Sequence, residues 1–167
     1  MGVQLKVKDN YAEYYSIERL EGEMSSSSQQ ERLDAIADYC EGSVLDIGAG
    51  VGMLERKLKK RGFKNFAAID IKDDYVGYMQ QQGFDAMLGD ARNLPGIQDA
   101  SYDTVVLAEI LEHLLDPSSA LKEAVRIAKK KVVLTLPIGN QHDDWHHWNI
   151  HGKIVGGCLL ILEMKKK

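Results

Sequence analysis

At 167 residues, with 44% hydrophobic and 28% charged content, the chain is long enough for one sizeable core and too apolar for a disordered tail. A net charge of -4 and a pI near 5.7 argue against a protein built around phosphate backbones, so nucleic acid is not an expected partner. The isolated cysteines Cys40 and Cys158 exclude a disulfide framework, and no stretch approaches the roughly 20 apolar residues of a membrane span, so a soluble cytoplasmic domain is expected.

Residues 1–28 are polar, carry the tyrosines Tyr11, Tyr14 and Tyr15, and end in the serine run Ser25 to Ser28, which reads as a flexible joint. They are expected to form an arm or lid, with the folded domain spanning 29–167. Ser28 and Glu31 then spell a capping box. Behind it Leu33, Ile36, Ala37 and Cys40 fall on one helical face, and Gly42 closes that helix.

The stretch VLDIGAGVGM, Val44 to Met53, places an acid inside an apolar strand and follows it with three alternating glycines. Gly48, Gly50 and Gly52 allow positive φ and a close approach of backbone to a ligand. Asp46 needs a donor or a cationic ligand, because an unpartnered charge in so apolar a strand is costly. From here apolar runs alternate with helical stretches: a helix to Lys60, the run FAAID, a helix from about Asp73 to Gln82, DAMLG, TVVLA, helical residues in LAEILEHLLDP, and VVLTLP. This is the pattern of a Rossmann-like, doubly wound α/β fold with a mostly parallel sheet. HGKIV and CLLILEM, separated by Gly156-Gly157, predict an antiparallel C-terminal hairpin at the sheet edge.

In such a sheet, ligands bind beyond the carboxyl ends of the strands. Acids stand there: Asp46 before the glycine turn, Asp70, Asp90 and Glu109. Asp70 lies 22 residues after Gly48, the right separation to accept from ribose hydroxyls. A pyrophosphate would meet these acids unfavourably, whereas a sulfonium and an ammonium suit them. That contrast favours S-adenosylmethionine over a nicotinamide or flavin dinucleotide as cofactor.

From Val44 to Pro137 the chain resembles the class I S-adenosylmethionine-dependent methyltransferases, in the small-molecule subgroup with a GDAxxLP segment. VLDIGAGVGM, the acid of AAID, GDARNLPGIQDASYDTVVLAEILEHLLDP and VVLTLP carry the likeness, in order. The resemblance implies that Gly48, Ala49, Gly50 and Gly52 cradle the methionyl part, beside Asp46, while Asp70 holds the ribose. It further implies that Ile71 packs on adenine, Asp90 and Ala91 read the adenine edge, and Ala108 and Glu109 line the floor near the methyl group. Two departures stand out. Ala128-Lys129-Lys130-Lys131 replaces the family's Pro-Gly-Gly turn, and only 30 residues follow Pro137, so the acceptor cleft is expected to be open or completed by another chain, with room for a homodimer.

The segment HDDWHHWNIH holds four of the five histidines just after the last apolar run. His142, His146 and His147 are candidate general bases for a small-molecule methyl acceptor, and His113 is a further candidate to face it. The competing readings are a metal site using His142 and His146, for which the ligand geometry is undefined, and a polar loop anchored by its tryptophans. No resident metal is expected. A non-catalytic module that binds S-adenosylmethionine is the alternative to an enzyme.

Overall fold

The computed structural model describes residues 15–136 and 159–164. Two helices, α1 (Ile17–Met24) and α2 (Ser27–Tyr39), precede β1 (Val44–Ile47). Then follow α3 (Met53–Lys60), β2 (Phe66–Asp70), α4 (Asp73–Gln81), β3 (Ala86–Leu88), β4 (Tyr102–Ala108), α5 (Pro117–Ile127), β5 (Ala128–Thr135) and β6 (Leu159–Glu163). The six strands form one sheet in the order β3-β2-β1-β4-β5-β6. Every neighbouring pair is parallel except the last, so this is the doubly wound α/β fold the apolar runs predicted.

Side chains alternate across a strand, and here both faces are covered by helices. Val44, Val106 and Val133 pack with Leu33, Ile36 and Ala37 of α2 and with Leu54 and Leu58 of α3. Leu45, Ile47, Val105, Leu107, Val132 and Leu134 face the other way, onto Ala120, Ala124 and Ile127 of α5. The same alternation puts Asp46 on the α2–α3 face with Val44.

Four sequence expectations are corrected. The serine run is a tight helix corner and not a joint: the Ser25 amide and hydroxyl donate to the Glu21 carbonyl, and the Gln30 side chain donates to the Met24 carbonyl at 2.7 Å. Ser28 is no N-cap, because α2 begins at Ser27 behind Ser26, whose side chain makes no capping bond. LAEILEHLLDP yields only a single 3-10 turn at Leu111–His113. The reason lies in Asp116-Pro117: the proline forces Asp116 out of helical geometry (φ -124°, ψ 82°), and the aspartate then caps a new helix by accepting from the Ser119 amide. Finally, the C-terminal hairpin is replaced by a single antiparallel strand: Leu159–Glu163 pairs with β5, Lys131 opposite Glu163 and Thr135 opposite Leu159. The proposed first arm, HGKIV, lies outside the described residues, as does Cys158.

The missing Pro-Gly-Gly turn has a simple resolution. Helix α5 ends at Ile127 and β5 starts at Ala128 without a loop, Tyr102 pairing with Ala128 before a register shift. Arg126, in the last turn of α5, holds the 94–99 segment in place. It donates to the carbonyls of Leu94 (3.0 Å) and Ile97 (2.7 Å) and to Asp99 (2.6 Å), while Glu123, its own partner, accepts from the Leu94 amide (2.8 Å). Charge-assisted bonds to backbone are the stronger kind. Arg126→Ala is therefore expected to lower the unfolding free energy by about 2 kcal/mol in urea titrations, with the carbonyls of Leu94 and Ile97 losing their charged donor. A change within the error of those titrations would mean that the loop holds itself.

Candidate active site

The glycine turn leaves β1 at its carboxyl end and enters α3. Gly48, Gly50 and Gly52 all take positive φ, at 84°, 58° and 77°. Two of them are fixed by space as well as by φ: a Cβ on Gly48 would lie 2.5 Å from Ile110 Cδ1, and one on Gly52 3.0 Å from Met79 Cγ. No L side chain fits there without displacing a neighbour. Gly48 and Ala49 both donate to the Ile69 carbonyl, so the turn is laced to the adjacent strand.

Asp70 closes β2 beside this turn. One oxygen accepts from the Gly50 amide (2.8 Å) and the other from the Lys72 amide (2.9 Å). Burial raises its pKa above the usual carboxylate range, against those backbone donors. A residue read from sequence as a ribose contact thus also fixes the glycine turn. Ile71, the next residue, is 57% exposed and offers an open apolar face. Ala91 is buried, and Asp90 beside it is held below its ordinary pKa by the Arg92 side chain. Asp90 and the end of β2 are neighbours, since the Gly89 amide donates to the Asp70 carbonyl at 2.9 Å.

Asp46 sits differently from the other acids. It is only 3% exposed, beneath the turn, with its carboxyl against Glu55 of α3, itself fully buried. Burial pushes Asp46 up to about 7, and both burial and the Asp46 charge raise Glu55 well above its ordinary value. Asp46 Oδ1 and both Glu55 oxygens lack partners in side-chain geometry that would satisfy them fully. Two carboxyls packed together out of water share protons readily and ionise together only with difficulty.

At the end of β4, Ala108 is half-buried and Glu109 takes a φ of 51°, rare for a residue with a Cβ. Its amide donates to the Thr135 carbonyl and its carboxylate pairs with Arg32 of α2. Glu112, 2% exposed in the 3-10 turn, is pushed up to about 7 by burial and leaves Oε2 unpartnered. His113 follows it, half-buried, its amide donating to the Ile110 carbonyl. Arg32, Glu109 and Glu112 therefore stand as one charged group at the end of β4.

Helix α1 lies over the glycine turn, Leu20 Cδ2 coming within 3.2 Å of where a Gly50 Cβ would stand. Glu21 pins the helix: it accepts from Tyr78 (2.5 Å) and Arg56 (2.7 Å), which together hold its pKa below the ordinary value. Tyr15 follows suit through its carbonyl, which accepts from Tyr75 (2.7 Å) and Lys72 (3.2 Å), and Arg19 stands 5.1 Å from its ring.

The structure thus gathers Gly48, Ala49, Gly50, Gly52, Asp70, Ile71, Asp90, Ala91, Ala108 and Glu109 along the carboxyl edge of four adjacent strands, with Asp46 beneath it. Tyr11, Tyr14, His142, His146 and His147 lie outside the described residues. Sequence reasoning missed Arg32, Glu55, Arg92 and the burial of Glu112. For Glu55 a signal existed, because it stands three residues before Leu58 on the apolar face of α3. Cys40, by contrast, behaves as read: its thiol is buried, donates to the Ile36 carbonyl, and is pushed up to about 12. Among the described residues no group of three His, Cys, Asp or Glu side chains is placed to hold a metal ion, and no helix is long and apolar enough to cross a membrane.

A family model described as a methyltransferase domain matches residues 45–136. A ubiquinone biosynthesis O-methyltransferase of Xanthomonas oryzae pv. oryzae is 29% identical over 107 residues, covering 59% of this chain and 44% of that protein. A methyltransferase of Mycobacterium tuberculosis, uncharacterized by name, is 32% identical over 129 residues, covering 75% of this chain and 51% of its own. The chain spans about half the length of these curated relatives. Among solved structures, a SAM-dependent methyltransferase of Thermotoga maritima, named a possible histamine N-methyltransferase, superposes with a TM-score of 0.60 at 24% identity, over 80% of this chain and 59% of that one. Magnesium protoporphyrin IX methyltransferase of Synechocystis, solved with bound SAH, gives a TM-score of 0.58 at 23% identity, over 68% and 57%.

Proposed function

Because the chain belongs to the methyltransferase-domain family, we propose that it binds S-adenosylmethionine and presents the methyl group to a small-molecule acceptor. The observation that carries this reading is the clamp between the positive-φ glycine turn and Asp70, on the carboxyl ends of adjacent parallel strands. Gly48 to Gly52 bring bare backbone to the methionyl part, Asp70 accepts from the ribose, Ile71 covers one face of adenine, and Asp90 with Ala91 meets its edge. Ala108 and Glu109 floor the reacting end. Asp46 acts through the turn above it, its carboxyl lying buried beside Glu55. The GDAxxLP segment supports placing the chain in the small-molecule subgroup.

When bound, S-adenosylmethionine supplies a methyl already activated by its positive sulfur. The protein's work is then to orient the acceptor in line, to exclude water, and to receive a proton where the acceptor is a hydroxyl. His142, His146 and His147 are proposed as the base, with His113 at the entry. Residues 1–28 serve as the lid over a domain of residues 29–167, a role supported by the seat of α1 above Gly50. A cytoplasmic site of action and a homodimer that completes the acceptor cleft belong to the same reading. A non-catalytic S-adenosylmethionine-binding module stands as the second reading.

Calorimetric titration with S-adenosylmethionine and S-adenosylhomocysteine is expected to give one saturable site, and NAD none. Incubation with methyl-labelled donor and a metabolite extract is then expected to yield a labelled product, lost in His146→Ala or His147→Ala while nucleoside binding is kept. Silence with both nucleosides would sink the cofactor reading. Binding without any labelled product would leave the module.

A further inference from the structure

We infer that Arg92 is a resident competitor for the adenine-reading carboxylate of Asp90, and so a residue that sets how tightly and how selectively the purine is held. The inference rests on the cofactor reading proposed above.

The geometry is that of a tight turn at the carboxyl end of β3. The Asn93 amide donates to the Asp90 carbonyl at 2.9 Å, which closes the turn and places Arg92 at its apex. From there Arg92 folds back on Asp90 with both its backbone and its side chain. Its amide donates to Oδ1 at 2.9 Å; its Nε lies 2.9 Å from Oδ1 and 3.2 Å from Oδ2; a terminal nitrogen reaches Oδ2 at 2.6 Å. A carboxylate offers about four acceptor positions. One residue occupies nearly all of them.

A purine 6-amino group that reads Asp90 must displace part of this fork. The Asp70 oxygens, by contrast, accept from the Gly50 and Lys72 backbone amides, which position the turn. The Asp116 charge adds to the pull on the Arg92 guanidinium. Both members of the pair are partly solvated, with side chains 21% and 34% exposed, which keeps the cost of parting them small. Exposed ion pairs of this kind are worth roughly two- to fivefold in an equilibrium constant. The guanidinium also presents donors where the carboxylate presents acceptors. A 6-oxo purine, which Asp90 alone would repel, finds a donor in Arg92, so the wild-type site discriminates weakly between amino and oxo rings.

The test is calorimetric titration of wild type, Arg92→Gln, Arg92→Lys, Asp90→Asn and the Arg92→Gln/Asp90→Asn double variant. The probes are S-adenosylhomocysteine, 5'-methylthioadenosine and S-inosylhomocysteine. Arg92→Gln is expected to bind both adenine nucleosides roughly two- to fivefold more tightly. It should also bind the inosine analogue more weakly, and Arg92→Lys should fall between it and wild type. The gain should vanish in the Asp90→Asn background, which removes the contested carboxylate. If wild type binds and Arg92→Gln is equal or weaker for S-adenosylhomocysteine, with Arg92→Lys likewise no tighter, Arg92 does not compete and the inference fails alone. If wild type binds none of the probes, the cofactor reading fails and the inference with it.

Discussion

If Asp70 holds the ribose as proposed, Asp70→Ala will weaken S-adenosylhomocysteine binding by about a hundredfold, about 3 kcal/mol, the size of two charge-assisted hydrogen bonds. The same carboxylate also fastens the Gly50 amide at 2.8 Å and the Lys72 amide at 2.9 Å, so its removal frees the glycine turn proposed to receive the methionyl part. Binding and turn geometry fail together. Asp70→Asn separates them: its amide oxygen keeps one backbone donor, but its NH2 meets a second donor where an acceptor is needed. Its loss should fall between wild type and alanine, roughly tenfold. Since Asp70 is buried with a raised pKa, the neutral variants should not lose thermal stability in proportion to affinity. Equal affinity of Asp70→Ala and wild type, measured by titration calorimetry, would remove Asp70 from the site.

Glu55→Gln will make the protein more stable than wild type at pH 8, by about 1–2 kcal/mol, and will lessen the fall in its stability between pH 5 and 8 to the part that Glu112 and Asp70 still cause. In the unfolded chain Asp46 titrates near 4, whereas in the folded protein burial lifts it to about 7 and lifts Glu55 in the same direction. Between those values the folded state holds protons that the unfolded state has released. Stability therefore falls as pH rises through that window and levels off above it. The groups that face the pair are Asp70, which raises Asp46 further, Arg32 and Arg56, which oppose the rise, and Cys40, whose thiol stays protonated. Carboxylates with lowered pKa act oppositely and lower down: Asp116, held to about 2 by Ser118 and Ser119, together with Asp103 and Glu123, loses its contribution only in acid. Wild type should accordingly be most stable near pH 5. Chemical denaturation of both proteins at pH 5, 6.5 and 8 checks this, and a Glu55→Gln variant that tracks wild type at all three would show that the pair does not share its protons.

Much of this was legible in the residues. The period-2 runs of β1 and β4 and the helical faces of α2 and α5 follow from apolar spacing alone, and three alternating glycines after an apolar strand could hardly end in anything but a turn held at positive φ. Asp70 and Ile71 stand where strand ends must stand. What escaped were facts of contact. Glu55 and Glu112 are charged letters, and only the packing of α3 and of the 3-10 turn turns them into buried carboxyls. Arg92 reads as a solvated side chain until the turn at Asn93 folds it onto Asp90. The helix expected across LAEILEHLLDP lost to proline at position 117, a local rule that overrode the apolar spacing around it. Antiparallel pairing of the last strand was foreseeable from its composition, but its partner was not, because β5 is separated from it by residues whose path no periodicity describes.

The strand order carries a consequence for how the chain comes into being. β1 lies at the centre of the sheet between β2 and β4, and the residues that brace it against β4, Ser43 and Asp103, are 60 positions apart. A nascent chain that has emerged only as far as Gln98 can pair β1 with β2 and β2 with β3, yet must leave the Val44 to Ile47 flank as a raw, apolar edge. On a ribosome adding about 5–20 residues per second, that edge stays open for several seconds until β4 and β5 follow. The first half of this protein is thus an obligate client of its second half, and synonymous changes that slow translation between Gly89 and Thr135 should lower the yield of folded protein without altering one residue of it.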